Sequence, residues 1–379
     1  MSTLKVNTIE HETATSAIDM PNKFKVGGVD IEQVYTSSVT EPVDAESGDL
    51  WWDSANDKLY RYIDQEFREL GTGGSGGSSS GIAWWGTRGM AVGGEVSGYS
   101  NKLEYIDITT PGNGTDFGDL TESTSKTSSG SNGSRGVRIG GQVNAATMDY
   151  WAFATAGNAT DFGDVLVGRN LAGSVADGTK IITGSSLAGG YKNDIEYITV
   201  ATTGNGTDFG DMTGTAAAGL GTTNDTTRGI FAGTQGGTKA ADSFEYITMS
   251  TPGNATDYGN LANTIANGMV GVVSDNTYGV FMGGISGGYS NVIQYMTIQS
   301  SANGTDFGDL DLGMAYAGQT SDATSKRGMH LGAYVNVGGS NLKIGSISYI
   351  TIDTPGNATD FGNLTTATER ASGCSGAAS

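Results

Sequence analysis

A nine-residue phrase recurs six times without a gap. It reads GNGTDFGDL at Gly112–Leu120, GNATDFGDV at Gly157–Val165 and GNGTDFGDM at Gly204–Met212. It returns as GNATDYGNL at Gly253–Leu261, ANGTDFGDL at Ala302–Leu310 and GNATDFGNL at Gly356–Leu364. The aromatic anchors Phe117, Phe162, Phe209, Tyr258, Phe307 and Phe361 are separated by 45, 47, 49, 49 and 54 residues. Self-similarity at a period of about 40–50 residues predicts a β-propeller, an all-β fold in which each repeat is one blade.

Two further elements keep step with the phrase. A tyrosine lies twelve residues before each anchor, at Tyr105, Tyr150, Tyr197, Tyr246, Tyr295 and Tyr349, within segments such as LEYIDI, IEYITV and ISYITI. Aromatic and β-branched residues bounded by Gly and Asn read as a strand, and apolar residues on both faces suit a strand held between neighbouring blades. Earlier in each repeat stand RGMAVGG (Arg88–Gly94), RGVRIGG (Arg135–Gly141), KIITG (Lys180–Gly184), RGIFAG (Arg228–Gly233), YGVFMGG (Tyr278–Gly284) and RGMHLG (Arg327–Gly332), short apolar strands ending in glycine. The segments rich in Ser, Thr, Ala and Gly, such as Thr121–Ser134 and Asp311–Lys326, suit crowded inner strands near an axis. After the last phrase, Thr365–Ser379 stops where a further RG strand would begin, which predicts ring closure onto Arg88–Gly94. Residues Ile82–Trp85 compete for that closing place. Closure would remove exposed strand edges. The length between the RG and Tyr strands varies, most at Ala333–Ser346, which reads as an enlarged surface loop.

The chain therefore divides into residues 1–70, a flexible Gly/Ser linker at 71–81 (GTGGSGGSSSG), and a six-bladed propeller over 82–379. Its 62 glycines, roughly double ordinary usage, recur at fixed places beside strand formers, so turns explain them better than disorder. A net charge of −20 argues against a nucleic-acid partner. One cysteine, Cys374, excludes an intrachain disulfide framework. No run of about 18 apolar residues predicts membrane insertion. The start, MSTLKVNTIEHE, lacks the basic-then-apolar pattern of a signal peptide, which fits assembly inside a cell and release by lysis.

Each phrase contains an N-x-T acceptor pattern, at Asn113, Asn158, Asn205, Asn254, Asn303 and Asn357. Turn chemistry is the better reading, since Asn and Gly tolerate positive φ and Asn accepts hydrogen bonds from nearby backbone. The DFG triplet lacks the nucleotide loop, strand lysine and catalytic loop of a kinase. Acidic pairs such as Asp116 and Asp119 offer the oxygens that Ca²⁺ prefers, but the second acid becomes Asn260 and Asn363 in two copies. A structural cap is favoured over Ca²⁺, and no cofactor is expected. With two histidines, His11 and His330, and no repeat that gains a nucleophile-and-base pair, the chain is not expected to be an enzyme. Tyr99, Tyr191 and Tyr289 occupy matching GY(S/K)N positions in loops and are the candidate binding residues, rings on which a sugar could stack. The competing reading packs each tyrosine against its own blade. Trp84 and Trp85 read as a cap on the first blade.

The repeats, with YITI…TxGNATDFGDL and TRG-apolar-GG, resemble the kelch-like propeller repeats in tail-fibre and other virion proteins of tailed phages, notably those of marine bacteria and cyanobacteria. The doublets Gly93–Gly94, Gly140–Gly141 and Gly283–Gly284 match the kelch pattern, which the third, fourth and sixth repeats lack. The opening STLKVNTIEHETA and the module ESGDLWWDSANDKLYRYIDQEFREL at Glu46–Leu70 are similar to parts of such virion proteins. Bottom-up, Leu4–Ile9, Phe24–Val29 and Ile31–Tyr35 read as short strands and Asp49–Tyr62 as a hairpin turning at Ala55-Asn56-Asp57. The resemblance implies a virion fibre or appendage subunit whose N-terminal segment attaches to other virion proteins. It also implies a homotrimer, which would supply the burial that a thin N-terminal core lacks, and a propeller that contacts host cell-surface carbohydrate. The alternative is a structural virion protein of the neck, baseplate or capsid surface whose propeller packs against other virion proteins.

Overall fold

In every repeat the Tyr strand and the aromatic anchor meet as a pair of rings. Tyr105 and Phe117 lie 6.0 Å apart with their planes at 80°, and Tyr197 and Phe209 repeat this at 6.1 Å and 81°. The other four pairs keep the contact, with centroids between 5.1 and 6.0 Å. The twelve-residue spacing is thus the length of a hairpin that folds the anchor back onto its tyrosine. In four repeats an arginine from the RG strand covers the tyrosine's face: Arg88, Arg135, Arg228 and Arg327, at 4.4–4.8 Å.

The computed structural model describes residues 86–378, except 188, 217–220, 234–235, 239, 263–270 and 301–302, together with the backbone of the strands between Phe24 and Leu70. The chain divides into two units, Met1–Ser79 and Ser80–Ser379. Among the described residues every regular element is a β-strand. In the first unit, Phe24–Val26 pairs with Val29–Ile31, and a four-stranded sheet runs Val34–Ser38, Leu50–Asp53, Lys58–Ile63, Glu66–Leu70. Its first pair is parallel and the others antiparallel. The expected hairpin within Asp49–Tyr62 is therefore present, while the strand expected at Ile31–Tyr35 lies later, at Val34–Ser38. The expected strand Leu4–Ile9, the turn at 55–57, the linker 71–81 and residues 82–85 with Trp84 and Trp85 lie outside the described residues.

The second unit is a six-bladed β-propeller of antiparallel blades. From the axis outward, a blade runs inner strand, RG strand, Tyr strand and outer strand, as in Ser128–Ser131, Arg135–Ile139, Thr147–Ala152 and Thr160–Asp164. The inner strands Ser372–Gly376, Ser128–Ser131, Gly173–Ala176, Gly221–Asn224, Gly271–Ser274 and Gly318–Asp322 neighbour one another in a closed circle. Small side chains there let hydroxyls bond between neighbouring blades around the axis, Thr127 with Ser372 at 2.9 Å and Ser174 to Ser128 at 2.8 Å. The C-terminal strand Ser372–Gly376 pairs with Arg88–Val92, so the chain's end supplies the inner strand of the first blade. The apolar core lies between blades. Each of six buried clusters draws on two neighbours, as where Met90, Val92 and Phe117 pack with Trp151 and Phe153.

The repeated phrase turns out to act across blades rather than within its own turn. The Oδ1 of Asn158 accepts from the backbone N–H of Asp119 at 3.1 Å, and the Ala159 N–H donates to the Asp119 carbonyl at 2.7 Å. The asparagine bond recurs at all six junctions, from Asp164 to Asn205, Asp211 to Asn254, Asn260 to Asn303 and Asp309 to Asn357, and across the closure from Asn363 to Asn113. The expected partner was backbone a few residues on. A propeller corner instead abuts the preceding blade, whose outer strand offers the unpaired N–H. The glycine of DFG belongs to the same joint. Gly118 has φ +151°, and a Cβ there would stand 2.3 Å from the Gly157 carbonyl oxygen of the next blade.

Two more latches repeat. Buried carboxylates just before the tyrosine reach back to the preceding blade: Glu104 accepts from the Thr365 N–H at 2.7 Å and Glu196 from the Leu166 N–H at 2.7 Å. The RG arginines reach forward, Arg135 to the Val200 carbonyl at 3.0 Å and Arg327 to that of Ile108 at 3.0 Å.

The position just after the RG strand, where three repeats carry the first glycine of an expected kelch doublet, is a conformational site. Gly93, Gly140, Gly233, Gly283 and Gly332 have φ between +58° and +74°, and Ser185 takes the third repeat's place at +65°. The segment Ala333–Ser346 differs from expectation. It is no loop but the far end of a long hairpin, Arg327–Val337 with Ser340–Thr351, turning at Gly338 and Gly339. Alternating Tyr334, Val335, Asn336 and Val337 carry strand pairing past the blade's edge.

Candidate ligand-binding face

Antiparallel blades sort their connections to two ends. The GN(G/A)T corners lie at one end. The turns between RG and Tyr strands and the links from outer to inner strands share the other, here called the loop face. Because the corners are taken up by contacts between blades, the loop face holds most of the side chains that differ between repeats.

All three tyrosines expected to bind lie on the loop face, but they are not brought together. Tyr99 and Tyr191 are about half exposed, at 47% and 50%. Tyr99 closes a small turn by bridging to Glu95, and Tyr289 does the same with Ile285. Tyr191 reaches the next blade, where a Cβ added at Gly236 would stand 2.7 Å from its hydroxyl. Tyr289 alone joins other aromatics. Its ring is 5.9 Å from Tyr334 at 87°, and Tyr334 is 6.5 Å from Tyr316. Tyr334 belongs to the long hairpin of the next blade, so neither Tyr191 nor Tyr289 simply packs on its own blade.

A charged group adjoins this aromatic trio. The Arg370 guanidinium lies 4.5 Å above the Tyr316 ring and pairs with Glu95 at 3.0 Å and Glu369 at 3.4 Å. Lys343 pairs with the same two carboxylates, each at 3.3 Å. Burial opposes charge on both Glu95 and Arg370, yet pairing prevails: Arg370 and Lys343 hold Glu95 below its usual value, and Glu369 and then Glu95 hold Arg370 above its own. Burial, and then the neighbouring tyrosines, push the Tyr289 hydroxyl upward.

Tyr316 and Arg370 occupy one structural position, repeated at Lys126 and Leu171. Each stands two residues or so before an inner strand, at the mouth of the axis, with φ of +55° to +59°. Backbone bonds link them in a belt: Arg370 N–H to the Tyr316 carbonyl at 2.6 Å, Lys126 to Arg370 at 3.0 Å and Leu171 to Lys126 at 2.9 Å. Sequence reading missed Lys126, Tyr316 and Arg370 because they lie in the least repetitive segment. Aligning the repeats on their inner strands places all three in one column.

The free thiol and the described imidazole lie inside the blades. Cys374 is fully buried, which pushes its thiol up to about 12, and burial pushes His330 down to about 4. Among the described residues no three His, Cys, Asp or Glu side chains gather as a metal site. Chemically, the loop face offers tyrosine rings, hydroxyls and fixed charges, the equipment of non-covalent recognition. No protein-family model and no curated protein matches this chain.

Proposed function

We propose that this chain is a subunit of a phage fibre or appendage. Its N-terminal strands attach to other virion proteins as a homotrimer, and its propeller binds host-surface carbohydrate through the loop face. The observation that carries the reading is the division of labour between the two ends. The corners are spent on joining blades, while the loop face presents exposed Tyr99 and Tyr191 and the Tyr289–Tyr334–Tyr316 group. Amphipathic rings of this kind recognise sugars, and three copies on one stalk would turn weak binding into avidity. The resemblance of the repeats and of Glu46–Leu70 to tail-fibre proteins supplies the virion setting, with assembly in the host cytoplasm. The proposed activity is binding without turnover.

The test is binding of labelled full-length protein to host cells, with host-surface fractions as competitors. Competition by a polysaccharide fraction, and loss of binding in a Tyr99→Ala/Tyr191→Ala/Tyr289→Ala variant, are expected. If no fraction competes, the adhesive role fails. A subunit then found buried against shell or tail tube in whole particles would be a structural virion protein instead.

A further inference from the structure

The mouth of the axis on the loop face departs from the character of the chain around it. The protein carries a net charge of −20, yet three cations, Lys126, Lys343 and Arg370, meet only two carboxylates, Glu95 and Glu369, at this spot. Lys343 and Arg370 share both carboxylates. Lys126 is left over. Its Nζ donates to the Gln142 amide oxygen at 2.7 Å, and no carboxylate lies within ion-pair distance among the described residues. Burial, and then repulsion from Arg370, lower its pKa, with Glu95 and Glu369 acting in the other direction. An ammonium in that setting lacks an anion.

The backbone adds a second observation. Lys126, Leu171, Tyr316 and Arg370 all sit in the left-handed region, where glycine would be cheaper and each side chain costs on the order of 1 kcal/mol. Elsewhere in the repeats positive φ falls mainly to glycine. At the mouth the chain accepts the strain and keeps large side chains, among them two cations and an aromatic. Arg370 and Lys126 are joined through their backbones at 3.0 Å, and Tyr316 under Arg370 continues to Tyr334 and Tyr289.

We propose that this mouth binds a carboxylate-bearing sugar, with Lys126 and Arg370 holding the carboxylate and the Tyr316–Tyr334–Tyr289 group supporting the ring. The assignment rests on reading the loop face as a glycan-binding surface and names the class of sugar it takes. Glu95, Glu369 and Lys343 hold Arg370 in place. Because Glu369 and Arg370 come from the C-terminal segment and Glu95 from the first blade, the site exists only in the closed ring.

The experiment is a glycan array probed with the full-length protein, carrying uronate and sialate glycans beside their carboxyl-reduced, neutral forms. The acidic forms are expected to bind about tenfold or more tightly than their reduced forms, the worth of one charge-assisted hydrogen bond. Lys126→Asn, which tolerates the left-handed backbone, is expected to remove that preference, and Lys126→Arg to keep it. Equal binding of acidic and reduced forms, or an unchanged preference in Lys126→Asn, overturns the acidic-sugar site and leaves carbohydrate adhesion standing. If the array and every host-surface fraction stay unbound, both readings fall together.

Discussion

The Oδ1 of Asn113 accepts a hydrogen bond from the backbone N–H of Asn363 at 3.0 Å, and so ties the first corner of the propeller to its last. The Gly114 N–H donates to the Asn363 carbonyl at 2.8 Å, completing the same two-pronged clamp that joins every other pair of blades. At every junction the chain itself also links one blade's outer strand to the next blade's inner strand. In the first blade alone, that inner strand, Ser372–Gly376, is held to its RG strand Arg88–Val92 only by non-covalent pairing.

Replacing a clamp asparagine by alanine should cost about 1 kcal/mol, the net worth of one such bond. Asn158→Ala and Asn113→Ala should therefore shift the denaturant midpoint alike. Asn113→Ala alone should also speed opening of the C-terminal strand, read by hydrogen exchange of its amides. Asn113→Asp keeps an acceptor oxygen and should cost less. Equal exchange in Asn113→Ala and Asn158→Ala would show that the clamp does not hold the closure.

Buried between the second and third blades, Arg169 and Glu196 form an ion pair at 0% and 2% side-chain exposure. Arg169 also donates to the carbonyls of Ser185 and Asp194, each at 3.0 Å, and Glu196 accepts from the N–H groups of Leu166 and Val167. Removing one partner strands a buried charge, so Arg169→Met should cost about 3–5 kcal/mol. Glu196→Gln keeps an acceptor oxygen but leaves the Arg169 guanidinium buried without its anion, so it should cost a similar amount. Equilibrium unfolding checks both variants, and a loss under about 1 kcal/mol in either, the worth of an exposed pair, would show that the pair is not buried in solution.

These features mark where sequence reading succeeds and where it stops. The strand order, the six blades and the closing strand follow from spacing, because one hairpin fixes the twelve residues from Tyr105 to Phe117 and a blade fixes the period. The partner of Asn158 does not follow, since Asp119 is 39 residues away and only blade packing brings it near. Arg169 in RNLAG and Lys126 in TSKTS carry no local signature. Their roles arise from burial and from the left-handed turn at the axis mouth. Ala333–Ser346 was legible as an enlargement but not as a hairpin, because its strand pattern begins only beyond Gly332. Tyr99, Tyr191 and Tyr289 were legible as one repeated position. That only Tyr289 meets Tyr334 depends on the unique hairpin of the sixth blade.

Cys374 lies on the closing strand, paired with Met90 and fully buried, and burial pushes its thiol up to about 12. A thiol reagent should therefore leave the native protein unmodified at neutral pH and label it only when the strand opens. The labelling rate then reports closure stability, and Asn113→Ala should raise it about fivefold for the roughly 1 kcal/mol lost. Rapid labelling of the unperturbed protein would show that the C-terminal strand is not docked in solution.

His330 gives the propeller a defined sensitivity to acid. It is fully buried in the RG strand of the sixth blade, its Nε2 has no partner, and burial pushes its pKa down to about 4 from 6.5. Above pH 6.5 the imidazole is neutral both folded and unfolded, so it adds no pH dependence there. Between pH 6.5 and about 4 the unfolded chain takes up a proton that the folded chain refuses, and stability falls with pH. Below about 4 both forms are protonated and the loss levels off at about 3 kcal/mol. His330→Gln should flatten this part of the profile while carboxylates elsewhere titrate as before. Chemical denaturation at pH 7 and pH 5 isolates the difference, and equal losses in both proteins would show that His330 is not held neutral in the fold.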